Sequence, residues 1–222
     1  GFGLSARPAP FDYKNANQAR MAGQLIRALG LSNVVVGGHS LGGAIALRVA
    51  VNEPEVVGLV VMNPGIITTG VPAFAKYLVW PFPRIQAKLF GDPEFRSRFL
   101  RQSFQDPTII DDAVVADLSR TSRTEGYLTG MTNLMGQYQD ADEVALLDDV
   151  KVPSLVAFGA RDKGKPDPRG EYEELLAKLA DAEGVWVENS GHYVQEEAPE
   201  AVAAGMKDLA GRLKPATSQS QP

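Results

Sequence analysis

The 222-residue sequence predicts an α/β fold, a mostly parallel sheet with helices on both faces, into which a helical segment is inserted. Two observations carry this. Short apolar runs bounded by glycine or proline alternate with stretches of helical period, the pattern of a parallel sheet covered on both sides. A long middle stretch then breaks the alternation, holding amphipathic pieces and no such run.

Taken in order, residues 1–14 read as loop, punctuated by Gly1, Gly3, Pro8 and Pro10. A helix follows, in which Ala22, Leu25, Ile26 and Leu29 form the apolar face and Gly30 sits at the C-terminal cap position. Val34-Val35-Val36, closed by Gly37-Gly38, suits a strand buried on both faces. Leu41 to Ala50 is helical again, stopped by Asn52-Glu53-Pro54, and Val57 to Met62 is a second buried strand ended by Asn63-Pro64-Gly65. From Ile66 to Leu147 the chain reads as a helical insertion broken at Trp80-Pro81-Phe82-Pro83 and Asp106-Pro107. Phe74, Phe82, Phe90, Phe95, Phe99 and Phe104 all lie there. Alternation resumes with a strand over Leu155–Phe158 and a helix face of Tyr172, Leu175, Leu176 and Leu179. A strand over Val185–Val187 and a helix marked by Val202, Met206, Leu209 and Leu213 complete it. The resulting division is a core in two parts, 1–65 and 148–214, the insertion 66–147, and a polar, Pro/Ser-rich tail 215–222 read as disordered.

Composition narrows the function. With 44% hydrophobic residues the chain can build an ordinary core, and a net charge of −5 with scattered basic residues leaves no footprint for nucleic acid. The absence of cysteine excludes disulfides, thiolate metal sites and a cysteine nucleophile. No apolar run reaches the roughly 18–20 residues of a membrane span. GFGLSARPAPF lacks the pattern of a signal peptide, so the default location is cytoplasmic, although a removed leader would leave the same sequence.

The chemistry centres on Gly38-His39-Ser40-Leu41-Gly42, a G-x-S-x-G pattern with a strand running in and a helix running out. A serine on such a turn holds its hydroxyl clear of the sheet. Glycines two residues either side avoid a β-carbon colliding with backbone. The following helix N-terminus favours an oxyanion, to which the Leu41 N–H can donate. A serine nucleophile needs a base, and the chain has two histidines. His39 adjoins the serine and should turn away from its hydroxyl as a packed or hydrogen-bonded structural residue. His192 follows the last strand in Asn189-Ser190-Gly191-His192 and is the candidate base. Asp162, just after the third strand, is the best candidate for the acid behind it, with Asp167, Asp140 and Asp142 as rivals.

These residues resemble the cap-bearing α/β-hydrolases, a group that includes esterases, cofactor-free haloperoxidases, epoxide hydrolases, dehalogenases and carbon–carbon-bond hydrolases. Gly1-Phe2-Gly3-Leu4-Ser5 with Pro8 is similar to the family's G-x-G-x-S-x-x-P loop, and Gly38–Gly43 to its G-H-S-L-G-G elbow. Phe158–Asp162 resembles its W-G-x-x-D segment with Phe for Trp, and Gly191-His192-Tyr193 with Gln195–Pro199 resembles its histidine loop and final helix. The resemblance implies the chain order Ser, Asp, His for the triad and makes the insertion a cap that roofs the site and selects substrates. It implies no cofactor and no metal. Dehalogenases and epoxide hydrolases use an aspartate whose alkyl ester water can open, whereas a serine would leave an ether. Ser40 therefore points to acyl transfer on a small-molecule acyl substrate. Tyr193, where carbon–carbon hydrolases usually carry Trp, tilts the reading away from them.

The resemblance also implies further N-terminal strands. In such enzymes the G-x-G-x-S loop follows the fourth strand and an earlier loop supplies a second oxyanion donor, yet here the loop begins at residue 1. The sequence is thus read as the C-terminal portion of the fold, with an N-terminal fragment of the same protein, separate or truncated, expected to complete the sheet. Otherwise 34–36 would be an exposed apolar edge. The leading function is a carboxylesterase-type hydrolase. Perhydrolysis by the same acyl-enzyme, carbon–carbon bond hydrolysis, and a ligand receptor on the same scaffold are the alternatives.

Overall fold

A computed structural model describes residues 5–8, 10–69, 79–137 and 142–213. Gly1 to Leu4, Phe74, Asp140 and the tail 215–222 lie outside the described residues. The chain divides into two compact units, Gly1–Lys14 with Val71–Asp140, and Asn15–Gly70 with Ala141–Pro222.

The second unit carries the sheet. Its elements are α1 (Asn15–Ala28), β1 (Val34–His39), α2 (Leu41–Asn52) and β2 (Val56–Met62), then β3 (Ser154–Gly159), α7 (Pro168–Lys178), β4 (Ala182–Val187), α8 (Val194–Glu197) and α9 (Pro199–Arg212). Among the described residues the strands form one sheet in the order β1-β2-β3-β4, with every neighbouring pair parallel. Alternate residues of the central strands face opposite layers, as the two-residue period requires. Leu59, Val61, Val156 and Phe158 pack with Ala46, Leu47 and Leu175 from α2 and α7. Val60 and Leu155 face Leu209, and Ala157 faces Val194 and Val202, from α8 and α9. Helices therefore cover both faces.

Two expectations change at the sheet edge. β1 is not buried on both faces: it is the outer strand, and Val35 is 42% exposed, because no described strand pairs on that side. The α1 face is also rotated from the one the leucines suggested. Ala19, Gly23 and Ile26 are buried while Leu25 and Leu29 are exposed. Gly23 is the cause, since a Cβ there would lie 1.8 Å from Glu53 Oε1, so the helix approaches the end of α2 through its glycine. Arg27 pairs with Glu53 at that contact. Gly30, at φ 62, ends the helix as expected. In the last helix Gly205 is buried and Met206 is exposed.

The other unit contains α3 (Phe82–Gly91), α4 (Pro93–Ser103), α5 (Asp112–Arg120) and α6 (Tyr127–Gly136). Prolines open the first two helices, and the Asp92 and Asp111 carboxylates accept from the Phe95 and Val114 N–H groups to cap α4 and α5. Phe90 meets Phe95 and Phe99 edge to face, at 5.4 and 5.1 Å between ring centroids. Among the described residues no helix is long and apolar enough to cross a membrane.

Candidate active site

Ser40 occupies the one-residue turn between β1 and α2, with φ 52 and ψ −122. A non-glycine residue at positive φ is strained and persists only where its surroundings fix it. Here the Ser40 N–H donates to the Met62 carbonyl at 3.1 Å, while its own carbonyl accepts from Gly43 N–H at 2.9 Å and Gly65 N–H at 2.8 Å. The glycines divide unevenly. A Cβ on Gly38 would lie 2.0 Å from the Gly42 carbonyl oxygen, and one on Gly43 would lie 2.6 Å from Pro64 Cβ. A Cβ on Gly42 would meet nothing within 4 Å, so Gly43, and not Gly42, is the close-approach glycine on that side of the serine. Leu41 is the first residue of α2, and helix geometry leaves its N–H without an acceptor inside the helix.

His192 and Asp162 come together. His192 Nδ1 lies 2.7 Å from Asp162 Oδ2, and because a carboxylate only accepts, Nδ1 carries the proton and Nε2 is left as the basic nitrogen. Asp162 is 3% exposed, and its other oxygen accepts from Gly164 N–H at 2.9 Å. Burial alone would raise its pKa. The His192 imidazole, the Gly164 N–H and the Asn63 amide outweigh burial and hold it below the usual carboxylate range. The rival acids have other tasks. Asp167 caps α7 by accepting from Gly170 N–H, and Asp142 pairs with Arg48.

His39 turns to the histidine loop. Its Nε2 donates to the His192 carbonyl oxygen at 2.8 Å, and the two rings lie 4.5 Å apart, with Tyr193 packed 4.8 Å from His39. The residue next to Ser40 thereby holds the backbone of His192. Burial, reinforced by His192, lowers the His39 pKa to about 4.

Three supporting groups were not singled out by sequence reasoning. Asn63, read there only as part of a strand-closing turn, hydrogen-bonds Asp162, and it is buried at positive φ (39°), neither of which the sequence signals. Glu197 accepts from Ser190 Oγ at 2.9 Å and from the Gly191 N–H, clamping the histidine loop from α8. Lys165 donates to the Pro64 carbonyl at 2.8 Å and to Glu171 at 2.6 Å, a buried pair that ties the segment after β2 to α7. A Cβ on Gly159 would lie 2.1 Å from the Gly191 carbonyl oxygen, so the end of β3 touches the histidine loop directly. Among the described residues no group of three or more His, Cys, Asp or Glu side chains is placed to hold a metal ion.

The model of the alpha/beta hydrolase family matches residues 1–205. An uncharacterized hydrolase of Bacillus subtilis, YugF, is 25% identical over 94% of this chain and 76% of its own length. Haloalkane dehalogenase 2 of Mycobacterium tuberculosis is 27% identical over 95% of this chain and 76% of its own. The crystal structure of Cfl2 from Burkholderia cenocepacia shares the fold, with a TM-score of 0.77 at 22% identity, covering 93% of this chain and 75% of that one.

Proposed function

The chain belongs to the alpha/beta hydrolase family, and from that membership we propose that it is a serine hydrolase acting on carboxylic esters or related acyl compounds. The family and its hydrolase relatives make it an enzyme of this type. The observation that carries the finer reading is the pairing of a strained Ser40 on the β1–α2 turn with a hydrogen-bonded His192–Asp162 couple, whose loop is tied to the same turn through His39.

In this reading Nε2 of His192 takes the Ser40 hydroxyl proton as Oγ bonds to the substrate carbonyl carbon. The oxyanion that forms accepts from the Leu41 N–H at the start of α2. The proton held on Nε2 passes to the leaving alkoxide as its bond to carbon breaks, leaving the acyl-enzyme. Water then attacks, with His192 as base, and the acid is released. Asp162 keeps Nδ1 protonated and stabilises the imidazolium. The likeness to a dehalogenase does not favour alkyl substrates, because a serine ether has no carbonyl for water to attack. The helical unit is proposed as the substrate-selecting cap. The open edge of β1 supports pairing with a further strand-bearing segment of the same protein.

Ser40→Ala tests this reading. Hydrolysis of p-nitrophenyl esters should fall by at least about 10³-fold, the scale of losing one triad member. A variant as fast as the parent would remove Ser40 from the chemistry.

A further inference from the structure

Asn63 ends β2, and its side chain belongs to neither the nucleophile nor the base. It is fully buried, with a relative exposure of 0%, at φ 39. Its Oδ1 accepts from Gly159 N–H at 2.9 Å, which fixes the amide so that Nδ2 faces the Asp162 carboxylate. Nδ2 donates to Asp162 Oδ2 at 2.9 Å, the same oxygen that accepts from His192 Nδ1 at 2.7 Å. Gly164 N–H occupies Oδ1 at 2.9 Å. The carboxylate is thus held by three donors that converge from the ends of β2 and β3 and from the histidine loop. Of these, only the Asn63 amide comes from a side chain that takes no part in proton transfer. Its own backbone is anchored independently, the N–H donating to Ala157 O at 2.9 Å.

We propose that Asn63 is a positioning residue, which sets the Asp162 carboxylate so that one oxygen meets Nδ1 of His192 in the geometry that leaves Nε2 toward the nucleophile. This rests on the Ser40–His192–Asp162 reading. Without the amide, Oδ2 keeps one directed donor in place of two and the carboxylate can swing about its χ2 axis. His192 then loses a fixed tautomer and ring orientation. Substrate contacts are untouched, so the effect falls on turnover.

Asn63→Gly removes the side chain while tolerating the positive φ. In ester hydrolysis kcat should fall about 10- to 100-fold with KM unchanged, the size of one hydrogen bond to a charged group. Asn63→Asp keeps the shape, the φ tolerance and the acceptor for Gly159 N–H, and it decides the matter if the glycine variant does not fold. It sets a second carboxylate at hydrogen-bonding distance from Asp162, so the two share a proton that is lost as pH rises. Its pH–rate profile should gain a limb on the alkaline side that the parent lacks, as the paired charges repel and Asp162 loses its orientation. A profile of the parent's shape, with kcat unchanged or lowered uniformly, overturns the proposal, as does an Asn63→Gly enzyme with the parent's kcat. Fluorophosphonate labelling of Ser40 in the parent separates the two failures. If Ser40 labels and the Asn63 variants behave as the parent, the triad stands and this inference falls. If Ser40 does not label, the triad reading has failed beneath it.

Discussion

His39 shows how much of the candidate site depends on residues that carry no proton in the proposed reaction. Its Nε2–H holds the carbonyl of His192, and the packing that allows this keeps the ring neutral down to about pH 4. In the unfolded chain an ordinary histidine takes up its proton near pH 6.5. The folded-state pKa is depressed, so the stability His39 contributes is complete above the unfolded value and is lost as pH falls from about 6.5 toward 4. The shift corresponds to about 3 kcal/mol. Urea unfolding of the parent and of His39→Gln should therefore give stabilities whose difference changes by about that amount between pH 7 and pH 4. A difference that is the same at both pH values would contradict the burial described. Sequence reasoning placed His39 as a structural residue, which the geometry supports. It could not supply the partner, because the bonded atom is a backbone carbonyl 153 positions away. Asn63 was illegible for a related reason: asparagine after a strand is common turn chemistry, and only the third dimension puts its amide against a carboxylate.

The turn between β1 and α2 is the element on which the proposed chemistry depends, and its tolerance is uneven. The pattern of glycines around Ser40 suggested that Gly38 and Gly42 are equally necessary. Sterics instead reserve Gly38, whose Cβ would lie 2.0 Å from the Gly42 carbonyl oxygen, and leave Gly42 open. Backbone cannot yield as a flexible side chain does, so Gly38→Ala should destabilise by roughly 1–3 kcal/mol and distort the serine, as overpacking does. Gly42→Ala should keep both stability and activity, helped by the better helix propensity of alanine in α2. Thermal unfolding and ester hydrolysis of the two variants check this, and a Gly42→Ala variant as damaged as Gly38→Ala would overturn the steric account. Element types were largely readable, because buried strands such as β2 and β3 are continuous apolar runs, and helices such as α1, α2 and α3 stop at or just before a glycine or proline, Gly30, Pro54 and Gly91. The orientation of α1 was not. Leucine spacing implied one face, whereas the approach of Gly23 to Glu53 selected another, an interaction between elements that periodicity does not contain.

At the scale of the molecule, parallel pairing explains why residues far apart in sequence meet. Parallel strands end at the same edge of the sheet, so the loops after β1, β2, β3 and β4 deliver Ser40, Asn63, Asp162 and His192 to one side. The fold class and these four loop positions follow from the alternation of strands and helices, which is why the nucleophile, base and acid could be proposed from sequence. Val35 lies exposed on β1, the strand at one edge of the described sheet. The central claim is that this convergence makes Ser40 a nucleophile activated by His192. Its most direct test is intact-protein mass followed by peptide mapping after treatment with a fluorophosphonate, for the parent and for His192→Ala. The account predicts one adduct per chain on Ser40 in the parent, and slowing by at least about 10³-fold without the base. An unlabelled Ser40, an adduct elsewhere, or equal labelling of the two proteins would contradict it.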